Sequence, residues 1–148
     1  CDKVLVFIGS SDKFGTIENP FSYELRKKLI KKIYENEIVE NKLVISPLAD
    51  LGAGNVTKWG DYLFCEAEKI LGKVDCIVYG KESKCKSWFS EKIKKSVNFI
   101  VISRDDIKIN ASTLRNYMKE NDFERWRKFV NEKNWGEFEK MREILIKI

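Results

Sequence analysis

The chain has 148 residues, of which 43% are hydrophobic and 34% charged, and this composition predicts a globular domain that buries a real core. It carries a formal net charge of +5, contains no histidine, and has no apolar run approaching the ~20 residues that span a bilayer. These features exclude a disordered or membrane-spanning chain. They also exclude histidine-based catalysis and histidine–metal sites within these residues.

The positive charge is concentrated in part on one predicted helix, at Arg26, Lys27, Lys28, Lys31 and Lys32. Such a face is either a solvated helix surface or a source of attraction for anionic substrates such as nucleotides. No basic stripe interleaved with aromatic residues is present, so we do not expect a nucleic-acid partner.

The first predicted element is a strand, the apolar run Val4–Ile8, followed by Gly9, Ser10 and Ser11. A run without polar alternation is typical of a strand buried on both faces of a parallel sheet. Binding sites in open α/β sheets form at the carboxyl ends of strands. Gly9 and Ser10 therefore form either an ordinary strand-to-loop turn or a backbone cradle for a phosphate or ribose.

A predicted helix follows the loop Thr16–Ser22. Pro20 favours an extended Asn19, and Ser22 is a suitable N-cap for a helix whose apolar residues recur at Leu25, Leu29 and Ile33. Asn19 either braces this loop or offers its amide to polar atoms of a substrate.

Strands and helices then alternate. Strands are predicted at 42–46, 76–79 and 97–102, and helices at about 57–71, ended by Gly72, and around 88–95. This order favours a parallel sheet with right-handed crossovers. Cys65 and Cys76 fall in apolar contexts and are predicted to be buried free thiols, as in a reducing cytoplasm.

Two loops in this region could face a cleft. Asn55 and Trp59 stand at the start of the predicted second helix, where Trp59 is either a core residue or a stacking platform for a planar, cationic ring. Gly80 ends the third strand, where it permits either a simple turn or close backbone approach by a ligand.

The segment 109–115 is the most specific element. Asn110, Ser112 and Thr113 precede or open a helix, whose free amides and dipole attract anions, and Arg115 lies near the same end. A cation there is disfavoured by the dipole unless an anion sits nearby, although a surface arginine after an ordinary cap is the alternative. Further helices are predicted at 112–119, 122–130 and 134–146. We therefore divide the chain into an α/β core, 1–118, and C-terminal helices packed on it, 119–148.

Together these motifs resemble the nucleotidyltransferase superfamily with a His-x-Gly-His motif. Within it they are similar to nicotinamide-mononucleotide adenylyltransferases. Ile8–Ser11, the segment Thr16-x-x-Asn19-Pro20-Phe21 and Arg26 resemble that group's loop and helix after its second strand. Ile109–Arg115 resembles its Ile-Ser-x-Thr-x-Ile-Arg motif, with Asn110 in place of Ser.

The resemblance implies a Rossmann-like parallel sheet with a C-terminal helical tail, and a cytoplasmic enzyme of NAD biosynthesis. Gly9, Ser10, Gly80, Asn110, Ser112, Thr113 and Arg115 would bind the nucleotide. Asn19, Asn55 and Trp59 would bind the second substrate. The substrates would be ATP, with Mg²⁺, and nicotinamide mononucleotide or a similar phosphate compound; no protein-bound metal is expected.

The family's histidines and first strand have no counterpart in these residues, so the resemblance places the catalytic residues upstream of Cys1. This segment alone is then expected to be inactive, and an unpaired sheet edge could lead to a homo-oligomer. A cytidylyltransferase or other nucleotidyltransferase of the superfamily is an alternative, as is a non-catalytic nucleotide-binding regulatory module.

Overall fold

The computed structural model describes residues 1–52, 56–80, 85–103 and 109–148. The chain forms two compact units: the terminal unit, residues 1–50 and 109–148, and the middle unit, residues 51–108. Each unit contains helices and one pair of parallel strands, which confirms the predicted α/β class.

The elements follow one another in the described residues as strands, α-helices and short 3₁₀ segments. In chain order they are β1 (Val4–Ile8), α1 (Tyr23–Ile33), α2 (Glu35–Val39), β2 (Leu43–Pro47), α3 (Val56–Leu71), β3 (Cys76–Tyr79), a 3₁₀ turn (Cys85–Trp88), α4 (Glu91–Ser96), β4 (Asn98–Val101), α5 (Ala111–Lys119), α6 (Phe123–Trp126), 3₁₀ turns at Arg127–Phe129 and Glu132–Glu137, and α7 (Phe138–Ile146).

In the terminal unit β1 pairs in parallel with β2, in a register that runs from Val4 opposite Leu43 to Ile8 opposite Pro47. Helix α1 begins where the sequence predicts, because the Ser22 hydroxyl accepts a hydrogen bond from the Leu25 amide at 3.3 Å. The cap fixes the start of the helix that lies beside the carboxyl end of β1.

The core of the terminal unit joins α1 to the C-terminal helices. Its buried residues are Leu25, Met118, Trp126, Phe138, Met141 and Leu145. The rings of Trp126 and Phe138 meet edge to face, with centroids 5.1 Å apart. The tail therefore packs against the first helix of the chain, and not only on itself.

The middle unit packs α3 over the parallel pair β3–β4, in which Cys76 lies opposite Asn98. Its buried core consists of Phe64, Phe89 and Ile93. Helix α3 ends at Gly72, which adopts a left-handed φ of 78°, as the sequence predicts. Gly60 is required on this helix, since a Cβ built there would lie 2.4 Å from the carbonyl oxygen of Trp88.

Two predictions of burial are wrong. The strands are not buried on both faces: Val4 is 45% exposed, and Val78 and Ile100 are 56% and 53% exposed. In the described residues each sheet has two strands, too few to be enclosed. Cys65 and Cys76 are exposed free thiols. Cys65 lies beside the buried stripe of α3 formed by Phe64 and Ala67, on a different face.

Helix boundaries differ from the predictions in two places. The predicted helix at 88–95 is a 3₁₀ turn that ends at Trp88, followed by the separate helix α4. The predicted helices 122–130 and 134–146 each contain 3₁₀ turns beside the α-helix. Short helices tighten in this way where packing, and not propensity, fixes the ends.

Among the residues that the structure describes, no helix is long and apolar enough to cross a membrane.

Candidate functional site

The carboxyl end of β1 is braced by an arginine. Arg26 donates from Nη1 to the carbonyl oxygen of Gly9 at 2.7 Å and from Nη2 to that of Ser10 at 2.9 Å. Ser10 adopts a left-handed φ of 47°, which costs a residue with a Cβ about 1 kcal/mol or more. This turn is therefore fixed by side-chain contacts, while a Cβ built on Gly9 meets nothing within 4 Å, so the space beside it is open.

A small charge cluster completes this turn. Ser10 donates from Oγ to Asp50 Oδ2 at 2.9 Å, and the Lys13 ammonium contacts the same oxygen at 2.7 Å. The hydrogen bond from Lys13, followed by that from Ser10, lowers the pKa of Asp50, and the carboxylate raises the pKa of Lys13. Asp50 thus stays ionised and holds Ser10 in its strained conformation.

The N-terminus of α5 is capped as the sequence predicts. Asn110 Oδ1 accepts from the Thr113 amide at 2.9 Å and from Thr113 Oγ1 at 3.2 Å. Arg115 donates from Nη2 to Ser112 Oγ at 3.1 Å, so its guanidinium turns back toward the first turn of its own helix. A cation at the positive end of a helix dipole is unfavourable alone, and a bound anion would relieve it.

A cavity of about 380 Å³ lies beside this helix terminus, entirely within the terminal unit. Asn19, Arg26 and Arg115 line it together with apolar side chains that include Met118, Trp126 and Met141. A smaller cavity of about 190 Å³ shares Pro20 and Arg115 with it and is lined also by Thr16 and Ser112. The fold therefore brings the Thr16–Phe21 loop against the start of α5, although the two are far apart in the sequence.

The backbone of Asn19 closes the Thr16–Phe21 loop, whereas the sequence predicts a substrate contact for its side chain. Its amide donates to Thr16 Oγ1 at 3.0 Å, and its carbonyl accepts from the Thr16 amide at 3.3 Å. The loop is closed by these backbone bonds, which leaves the half-buried side chain of Asn19 in the wall of the larger cavity.

The remaining predicted site residues are not part of the terminal unit. Trp59 and Gly80 belong to the middle unit, where Trp59 is half-buried and its ring centroid lies 5.7 Å from that of Tyr62. Asn55 lies outside the described residues. The structure thus groups Gly9 with Ser10, and Asn19 with the α5 terminus.

Sequence reasoning missed Asn134. Its side chain is 4% exposed and lines the larger cavity; Nδ2 donates to the Leu29 carbonyl at 3.1 Å, while Oδ1 is buried without a partner in the structure. The sequence places Asn134 at the start of the predicted helix 134–146, beside polar residues, and no local signal marks it as buried.

No family model matches this chain, and a search of curated proteins found no match. The geometry is that of an α/β protein in which the capped N-terminus of α5 lies beside a largely apolar cavity.

Proposed function

We propose that the terminal unit binds the phosphates of a nucleotide at the N-terminus of α5, and that the chain contributes this site to a nucleotidyltransferase with a Rossmann-like sheet. The observation that carries the proposal is the position of Arg115. Its guanidinium is held at the positive end of α5 by Ser112, 3.1 Å away, where the helix dipole disfavours a cation and a neighbouring anion would stabilise it.

Each polar residue at the terminus has a role in this proposal. Ser112 presents its backbone amide in the first helical turn, and Asn110 holds that turn in place by accepting a hydrogen bond from the Thr113 amide. Arg115 supplies a planar guanidinium that forms paired hydrogen bonds with phosphate oxygens. Arg26 fixes the carbonyl groups of Gly9 and Ser10, and the open space beside Gly9 allows the ribose or phosphate to approach.

The reaction we propose joins nicotinamide mononucleotide to ATP. A phosphate oxygen of the mononucleotide forms a bond to the α-phosphorus of ATP, the bond from that phosphorus to the bridging oxygen breaks, and pyrophosphate leaves. Residues of the α5 terminus bind the β- and γ-phosphates and stabilise the negative charge on the leaving group. Trp59 supports the choice of nicotinamide mononucleotide as the second substrate, because its partly exposed indole can stack on the cationic nicotinamide ring.

Magnesium belongs to the substrate in this scheme. Mg²⁺ commonly enters nucleotide sites on the phosphates, with several waters and one or two carboxylates. Across the described ranges no three His, Cys, Asp or Glu side chains gather closely enough to hold a metal ion. In this proposal Mg²⁺ enters the site with the bound nucleotide.

The test is calorimetric titration of this chain with Mg·ATP. Arg115→Ala should weaken binding by about 10-fold or more, since a hydrogen bond to a charged group contributes roughly 1.5–3 kcal/mol. Lys140→Ala is the matched control: it removes one positive charge at an exposed position on α7 of the same unit and should change affinity by less than about twofold. Equal weakening by both variants, or no binding to the unaltered chain, contradicts the proposal.

Separate titrations test which nucleotide base the site prefers and which second substrate it binds. CTP that binds more tightly than ATP would favour the cytidylyltransferase alternative. Nicotinamide mononucleotide should bind more weakly to Trp59→Ala, and an unchanged affinity would remove our reason for choosing it. Nucleotide binding without dinucleotide synthesis by the product of the complete reading frame would favour a regulatory module.

A further inference from the structure

We propose that the smaller cavity of the terminal unit holds the last phosphate of a bound nucleoside triphosphate, and that Lys119 selects a triphosphate over a diphosphate; this rests on the nucleotide site proposed above. Lys119 lies outside the segment 109–115 on which that site is based. The cavity measures about 190 Å³, less than the usual range of about 300–1,000 Å³ for a whole small molecule. It therefore suits one part of a larger ligand.

Three polar side chains form a row from the start of α5 to Lys119. Ser112, Arg115 and Lys119 all line the smaller cavity and are spaced by three and four residues, so they share one face of the helix. Lys119 lies about 6 Å beyond Arg115 along the helix axis, and a long helical side chain leans back toward the N-terminus. A chain of phosphates that begins at the Ser112 amide therefore leads past Arg115 toward the Lys119 ammonium.

The smaller cavity carries positive charge without a balancing carboxylate. None of the described residues that line it is acidic, and Glu18 lines the larger cavity but not this one. Lys119 forms no ion pair within the described part of the chain. Like charges four residues apart on a helix repel each other, and an anion bound beside Arg115 and Lys119 relieves that repulsion. The charge of the lining thus favours a negatively charged group.

The other lining residues support binding of an anion. The Thr16 hydroxyl accepts a hydrogen bond from the Asn19 amide at 3.0 Å, so its own proton is left to donate. Ile17 and Leu145 also line the cavity, and apolar groups beside a cation displace water and strengthen its attraction for an anion. Thr16 and Lys119 are both exposed, so a phosphate group can reach them.

The test compares the affinities of Mg·ATP and Mg·ADP by calorimetric titration. The unaltered chain should bind Mg·ATP at least about fivefold more tightly, the effect of one hydrogen bond to a charged but exposed group. Lys119→Ala should weaken Mg·ATP by this factor and leave Mg·ADP within about twofold, whereas Lys119→Arg should keep the preference. Lys31→Ala is the matched control, because Lys31 is an exposed lysine in the last turn of α1 that lines neither cavity.

A second variant tests the cavity without altering Lys119. Asn116 also lines the smaller cavity, and Asn116→Asp places a carboxylate three residues from Lys119 with almost no change in shape. We expect it to weaken Mg·ATP about 10-fold. Asn36→Asp, at an exposed position on α2, adds the same charge away from the cavity and should change the affinity by less than about twofold.

The outcomes separate this role of Lys119 from the phosphate site itself. Equal affinities for the two nucleotides, a preference that survives Lys119→Ala, or the same loss in Lys31→Ala would overturn the role of Lys119, even where Arg115→Ala weakens binding. Equal effects of Asn116→Asp and Asn36→Asp would overturn it as well. If the unaltered chain binds neither nucleotide, or Arg115→Ala binds both as tightly, the proposed phosphate site fails too.

Discussion

Replacement of Glu137 by Gln tests how the C-terminal segment is attached to α1. The Glu137 carboxylate is buried, and its Oε1 contacts the ammonium groups of Lys28, at 2.8 Å, and Lys32. These hydrogen bonds, that from Lys28 first and then that from Lys32, lower the pKa of Glu137 from 4.5 to about 2. The pair of lysines comes from the basic helix face that the sequence showed without assigning it a structural role.

The sign of the pH effect follows from the lowered pKa. The folded chain binds the Glu137 proton more weakly than the unfolded chain, so the carboxylate stabilises the fold above pH 4.5. This contribution falls as the pH falls from 4.5 towards 2, and it is absent below about 2.

The magnitude is limited by solvent. A pKa change of this size corresponds to an upper limit of about 3–4 kcal/mol. The side chains of Lys28 and Lys32 are 49% and 35% exposed, however, so screening reduces the expected contribution to about 1–2 kcal/mol. Glu137→Gln should lower the free energy of unfolding by this amount at pH 7 and flatten its pH dependence below pH 4.5.

The assay is urea unfolding between pH 3 and 7, followed by the ¹³C-methyl signals of Met118 and Met141, which report on the terminal unit alone. The matched control is Glu139→Gln, whose carboxylate is 70% exposed and 3.9 Å from Arg142; it should cost less than about 0.5 kcal/mol. The reasoning is refuted if both variants have the same free energy of unfolding at pH 7, or if the stability of Glu137→Gln keeps the full pH dependence of the unaltered chain.

Two further substitutions test local features of the fold. Gly60→Ala should destabilise the middle unit by about 2 kcal/mol or more, because its Cβ would meet backbone atoms of Trp88, whereas Gly136→Ala meets nothing within 4 Å and should be tolerated. Urea unfolding read by circular dichroism distinguishes them, and equal stability would contradict the packing. Asn110→Ala should lower the free energy of unfolding by about 1 kcal/mol, because it removes the acceptor for the Thr113 amide. Hydrogen exchange at the first turn of α5 should become faster. An unchanged exchange rate would show that this cap is unimportant.

The local features of the chain were predictable from sequence. Ser22 and Asn110 cap their helices and Gly72 ends α3, because each depends on a few adjacent backbone groups. The exposure of Cys65 could also have been predicted, since its neighbours Phe64 and Ala67 already define the buried stripe of that helix.

Long-range features were not predictable in the same way. The apolar run of β1 indicates a strand but does not reveal how many strands lie beside it. In the described residues β1 pairs with β2 in a two-stranded sheet, and Val4 is exposed. The burial of Asn134 also depends on distant residues, since its amide donates to the carbonyl of Leu29 on helix α1. The contact of Arg26 with Gly9 and Ser10 likewise depends on how α1 lies beside β1.

The crystal structure of this chain with Mg·ATP tests the central claim most directly. We predict phosphate oxygens within hydrogen-bond distance of the Ser112 amide and of the Arg115 guanidinium. A nucleotide bound away from the N-terminus of α5 would contradict the account. So would a bound nucleotide whose phosphates make no contact with Arg115, with the guanidinium still hydrogen-bonded to Ser112.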